Sequence, residues 1–134
     1  VQDCFSKITR EGFEITKRAY NSILFYENGQ IVVSALRFKD FEETKAPYGD
    51  SKGVVSMLQN IAGVKVAISI SEKDKGEYHI SLRTACDGID VSQIAKKFNG
   101  GGHTRASGLK MVGEYEKVLG AIINQTKNVL GLLK

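Results

Sequence analysis

The stretch FNGGGHTRASG, Phe98 to Gly108, limits what this chain can fold into more than any other part of it. Glycine loses more conformational freedom on folding than any other residue, so a compact domain keeps three in a row only where the backbone has a task. They stand directly before His103, one of the chain's two histidines. Bare glycines let successive N–H groups turn into a concave nest and let a ligand approach the main chain closely. The ligand expected at Gly100, Gly101 and Gly102 is therefore negatively charged oxygen, with His103 donating a hydrogen bond at the mouth and Arg105 adding a bidentate contact. A helical turn opened by HTRASG would strengthen that attraction through its free N–H groups.

The segment leading into the glycines is a well-specified helix. Asp90 is placed to cap it, Gln93 stands three residues later as in a capping box, and Ile89 can staple onto Ile94. Val91, Ile94, Ala95 and Phe98 form its apolar stripe, and Asn99 with Gly100 ends it, because both tolerate the left-handed conformation. Upstream, VKVAISISE and EYHISLRT alternate with period two around the turn KDKG. Tyr78, Ile80 and Leu82 fall on one face of the second strand and His79, Ser81 and Arg83 on the other. One face is core; the polar one is free for solvent or a ligand.

SILFYENGQIVVSALRF reads as two strands joined by a two-residue turn at Asn28-Gly29. SKGVVSMLQNIAG gives a short helix with Ser51 as a cap and Gly63 as a stop. The last helix, from about Glu114 to Leu133, is apolar along Tyr115, Val118, Leu119, Ile122, Val129, Leu130 and Leu133. The first residues look helical but interrupted at Gly12. The expected fold is α/β (α+β), a single domain with a mixed sheet of about five strands and flanking helices. Residues 1–21 are expected to be a helical linker and 22–134 the domain.

At 134 residues, with 42% hydrophobic and 25% charged content, the chain has the profile of one soluble globular domain. Its net charge of +4 favours phosphate contacts without demanding them. Arg83, Lys96, Lys97, His103, Arg105 and Lys110 crowd the glycine region. Cys4 and Cys86 form no CxxC pair, which fits a reducing cytoplasm, and no apolar run approaches membrane-spanning length. A Walker loop and a dinucleotide fingerprint are excluded by the missing lysine and by Arg105 standing where the third glycine would be. His79, Cys86 and His103 show no metal-ligand spacing. The low aromatic content, without tryptophan, points to a short rather than an extended nucleic acid.

GGGHTRASG resembles the GGGHxxAAG signature of the DHH-associated domain, the C-terminal substrate-binding half of DHH-family phosphoesterases. The likeness extends over ISLRTACDGIDVSQIAKKFNGGGHTRASG and covers most of the chain from about Ser22. Thr84 stands where serine is usual and Ser107 where alanine is. The resemblance implies a domain that grips the phosphate and base end of short RNA or a nucleotide. Gly101, Gly102 and His103 carry over as phosphate contacts and Arg83 with Thr84 as a second anchor. It also implies that catalysis belongs to a separate N-terminal DHH domain holding manganese, for which this sequence carries no Asp-His-His motif and hence no cofactor site of its own.

The nano-RNase and 3′-phosphoadenosine 5′-phosphate phosphatase type, also labelled exopolyphosphatase-related, is the expected branch. A cyclic di-AMP phosphodiesterase, the tRNA-binding C-terminal region of alanyl-tRNA synthetase, a standalone RNA-binding module and a packing or homodimerisation domain are the alternatives.

Overall fold

Apolar alternation and amphipathic runs succeed one another along the chain. Among residues 8–51 and 53–132, which the computed structural model describes, the elements are α1 (Arg10–Asn21), β1 (Leu24–Tyr26), β2 (Ile31–Leu36), α2 (Phe38–Thr44), a 3-10 turn (Tyr48–Ser51), α3 (Gly53–Leu58), β3 (Val66–Asp74), β4 (Glu77–Arg83), α4 (Ser92–Lys97), β5 (Gly101–Gly102), β6 (Ala106–Val112) and α5 (Tyr115–Val129). Cys4, Leu133 and the side chain of the expected cap Ser51 lie outside the described residues.

The six strands form one mixed sheet in the order β1-β2-β3-β4-β6-β5. Only β2 and β3 run parallel; every other neighbouring pair is antiparallel. The alternation located β1 to β4; the other two strands are the glycine run itself and β6, which stands where HTRASG was expected to open a helical turn. The β1–β2 hairpin forms where Asn28-Gly29 indicated, but with a four-residue connection in which Glu27, Asn28 and Gly29 all take positive φ. Antiparallel β3 and β4 turn tightly at Gly76, φ +76°, with an irregularity between Glu72 and Asp74.

One face of the sheet is covered along nearly its whole width. Ile31 and Val33 of β2, Val66, Ile68 and Ile70 of β3, Tyr78, Ile80 and Leu82 of β4 and Leu109 of β6 pack against Val91, Ile94 and Ala95 and against Val118 and Ile122 of α5. Each fully buried aliphatic side chain there contributes roughly 1.5–3 kcal/mol. The opposite face is covered over only half its width. Val32 and Leu36 of β2 and Ala67 of β3 meet Ile15 and Ala19 of α1 and Val54, Val55 and Leu58 of α3. Beyond β3 neither buried cluster extends over that face, which carries His79, Ser81 and Arg83, as the alternation predicts, with the Tyr48 ring against His79.

Residues 10–21 of the expected linker are therefore a packed layer of the fold. Thr9 caps α1 by accepting from the Gly12 N–H (3.0 Å), and the helix runs through Gly12 without interruption. Ser34 pins α1 to β2 by donating to the Ala19 carbonyl (3.0 Å). Helix α2 was not legible in the sequence. Its start is fixed by Asp40, whose carboxylate accepts from the Arg37 N–H (2.8 Å), and its end by Lys45 in the left-handed conformation. Gly63, expected to stop α3, lies in the turn before β3.

Candidate functional site

The bare half-face is organised in cross-strand rows, because residues directly opposite each other in neighbouring strands project to the same side. The first row holds Arg83 of β4, Ala106 of β6 and His103, which faces Ala106 across the turn closing the β5–β6 hairpin. The second holds Ser69, Ser81, Gly108 and Gly101. The third holds Ser71, His79 and Lys110. Strands lie about 4.8 Å apart, so Arg83 and His103 stand roughly 10 Å from each other on either side of a methyl group. Two long cationic or donor side chains can converge over that gap on one phosphate. Neither makes an ion pair or side-chain hydrogen bond among the described residues.

His103 is held by its backbone. Its N–H donates to the Ala106 carbonyl (2.8 Å), and its own carbonyl accepts from the Ala106 N–H (3.2 Å) and the Ser107 hydroxyl (2.7 Å). The serine that departs from the family signature thus ties the histidine turn. Thr104 O accepts from Val91 N (2.9 Å), fastening the same turn to the start of α4. There Val91 is the N-cap residue, without a side-chain capping bond; Asp90, expected as the cap, stands one residue earlier and its carboxylate accepts from Ser92 N (2.9 Å), while the reciprocal Gln93 bond of a capping box is not formed. Asn99 takes the left-handed conformation (φ +64°), and Gly100 N donates to Ala95 O (2.9 Å), so α4 ends in the paired backbone bonds of a Schellman motif.

The three glycines do three different things. The Gly100 amide is spent on that helix end, and a Cβ at Gly100 would strike Gly108 O and lie 2.6 Å from Leu109 Cβ. Gly102 has φ +146°, and its Cβ would lie 2.7 Å from both Ala106 O and Ser107 Cα. Gly101 has ordinary φ and nothing within 4 Å of an added Cβ. Its partner Gly108 meets only Ile80 O, at an unstrained 3.5 Å. The fold requires Gly100 and Gly102; it does not require Gly101.

The nest of successive amides expected from the sequence is not what forms. The His103/Ala106 pair exchanges both of its bonds, so the alternation of an antiparallel ladder makes Gly101/Gly108 the next bonded pair and directs only the Gly102 N–H away from β6. The three glycines offer one outward amide and a bare floor.

Two further expected contacts are placed otherwise. Thr84, 1% exposed, donates its hydroxyl to Lys65 O (2.6 Å) and accepts from Cys86 N (3.1 Å), so it anchors the end of β4 rather than facing the open side. The Arg105 guanidinium donates to Ala85 O (3.0 Å) and pairs with the exposed Asp87 carboxylate, which competes with any ligand anion for it. Tyr48, which reaches the far end of the face from the crossover between β2 and β3, had no local signal beyond its place after Pro47. No group of three His, Cys, Asp or Glu side chains that could hold a metal ion comes together among the described residues. No helix among them is long and apolar enough to cross a membrane.

The profile of the DHHA1 domain matches residues 28–130. Over 108 residues, 81% of this chain and 32% of its relative, the sequence is 32% identical to a bifunctional oligoribonuclease and PAP phosphatase NrnA of Mycoplasma genitalium. It is 26% identical over 115 residues to the protein of that name in Thermus thermophilus, covering 82% of this chain and 33% of that one. The chain thus spans about a third of the length of the curated relatives it matches. An exopolyphosphatase-related protein from Bacteroides fragilis shares the fold with a TM-score of 0.82 at 20% identity, over 92% of this chain and 36% of that one. With the profile covering most of its length, and with the helix, glycine hairpin and open sheet face in place, this chain belongs to the DHHA1 domain family.

Proposed function

We propose that this chain is the substrate-binding domain of a DHH-family phosphoesterase that hydrolyses short oligoribonucleotides or 3′-phosphoadenosine 5′-phosphate. In this reading a phosphate lies between Arg83 and His103, against Gly101 and the outward amide of Gly102. Thr84 and Gly100 hold the surrounding backbone, and Arg105 adds charge when Asp87 releases it. Metal chemistry belongs to an N-terminal DHH domain, which would close over the bare half-face and carry the manganese.

The single observation that carries this reading is the first row of the open face. A cation and an imidazole, neither engaged by a side chain among the described residues, stand about two strand spacings apart beside a glycine whose bareness the fold does not need. The curated relatives named for oligoribonuclease and PAP phosphatase activity support the substrate class.

The test is a titration of 3′-phosphoadenosine 5′-phosphate, a linear diadenylate and cyclic di-AMP against native, Arg83→Ala and His103→Ala protein at two salt concentrations. Each substitution is expected to weaken binding of the preferred ligand at least about ten-fold, as loss of a charge-assisted contact does. The salt dependence should be shallow, reflecting one or two phosphates. Unchanged affinity in both variants refutes the proposal, and so does efficient RNA cleavage by this chain alone with manganese.

A further inference from the structure

The far end of the open face carries a second cluster that phosphate binding leaves unused. Tyr48 comes over the row of His79 and Lys110, its ring centroid 5.1 Å from that of His79 with the planes inclined at 58°. Lys73 Nζ lies 5.6 Å from the centroid of the Tyr48 ring, and Lys110 is exposed. Tyr48, His79 and Lys110, together with Ser81 and Gly108, line a cleft of about 660 Å³, within the range of sites that enclose small organic ligands. An aromatic pair flanked by ammonium groups above a floor of small residues suits the π-face of a base with phosphate oxygens beside it.

His79 lies four residues from Arg83 along β4, about 13 Å at strand rise. The phosphate and base of one nucleotide, separated by a single sugar, lie closer together than that. A second nucleotide joined to the first spans the gap, crossing the bare row of Ser81, Gly108 and Gly101.

We infer that Tyr48, His79 and Lys110 form a base-stacking subsite, so that the face takes a two-nucleotide unit with a phosphate at Arg83 and His103 and the neighbouring base against the Tyr48 and His79 rings. The inference rests on the phosphate site proposed above, and the two fail separately. The experiment compares binding of adenosine 5′-monophosphate and of the linear dinucleotide 5′-pApA to the full chain, native and carrying Tyr48→Ala, Tyr48→Phe, Lys110→Gln or Arg83→Ala.

Tyr48→Ala is expected to weaken pApA by about five-fold or more, the low end for one stacked base, and to leave the mononucleotide unchanged. Tyr48→Phe keeps the ring and native pApA affinity. Lys110→Gln, a change at an exposed side chain that leaves packing intact, weakens pApA alone and decides the matter if Tyr48→Ala does not fold. Arg83→Ala weakens both ligands. Native pApA affinity in Lys110→Gln and in a folded Tyr48→Ala, or equal losses for the two ligands, overturns the subsite while the Arg83 effect stands. Loss of the Arg83 effect refutes the phosphate site instead.

Discussion

The glycine run can be taken apart by an alanine scan in which stability and binding move in opposite order. At Gly102 an alanine must accept φ +146°, at about 1–3 kcal/mol, and displace Ala106 O and Ser107 Cα from 2.7 Å, at about another 1–3, giving a loss of about 2–6 kcal/mol. At Gly100 the conformation is ordinary but the new methyl meets the backbone of β6, so the loss is about 1–3 kcal/mol. At Gly101 neither obstacle exists, and relief of unfolded-state entropy gives a gain of about 0.4–1 kcal/mol. Its methyl would nevertheless stand in the row of Ser81 and Gly108, where the ligand is proposed to lie. Urea melts read at unchanged slope give the stabilities, and a dinucleotide titration gives the binding. Gly101→Ala should be the most stable of the three and the weakest binder among those that fold. A Gly101→Ala protein that is destabilised by more than 1 kcal/mol, or that binds like the native one, refutes the argument.

Three other outcomes follow from the same structure. Thr84→Val leaves the Lys65 carbonyl and the Cys86 amide without their partner, and a thermal melt should show a loss of about 1–3 kcal/mol. Glu72 is buried, which pushes its carboxyl up. The N–H groups of Gly76 and Phe38 and the Arg37 guanidinium outweigh that and hold it below its ordinary 4.5. A lowered folded-state value means that the stabilisation is complete above the unfolded-state value and lost as pH falls through the folded one. Melting temperature should therefore drop more steeply below about pH 4.5 in the native protein than in Glu72→Gln, and parallel acid profiles would contradict this. Asp87→Asn should change stability by less than about 1 kcal/mol, because the pair with Arg105 is exposed, and should tighten anion binding in a titration by freeing the guanidinium.

Local chemistry wrote much of this structure visibly into the sequence. The alternation from Tyr78 to Arg83 gave both faces of β4 correctly, and Asp90 and Asn99 marked the two ends of α4, because caps and pleats are decided by a few adjacent residues. What stayed hidden depends on segments distant in sequence. Gly100 is required by the passage of Leu109, Arg105 is taken up by Asp87, and Thr84 is buried against Lys65. None of these partners is within four residues. Helix α2 was missed because its apolar residues, Phe38 and Phe41, are too few to show a period, and its start rests on the Asp40 bond and on the distant Glu72 carboxylate that accepts from Phe38 N. The glycines pointed to the right place through a partly wrong geometry: an expected cup of amides is a two-residue edge strand.

The parallel seam between β2 and β3 has one more consequence. Joining parallel neighbours takes a long crossover, and here residues 37–65 supply it, while every residue of the three open rows comes from the contiguous stretch 69–110. The proposed anion grip and the ring that overhangs its far end are thus encoded in separate segments. Lengthening or recasting the crossover ahead of Lys65, whose carbonyl holds Thr84, would alter what the ring admits and leave the proposed grip in place, so a descendant of this chain could change the cargo proposed for it while the proposed hold on phosphate stays constant.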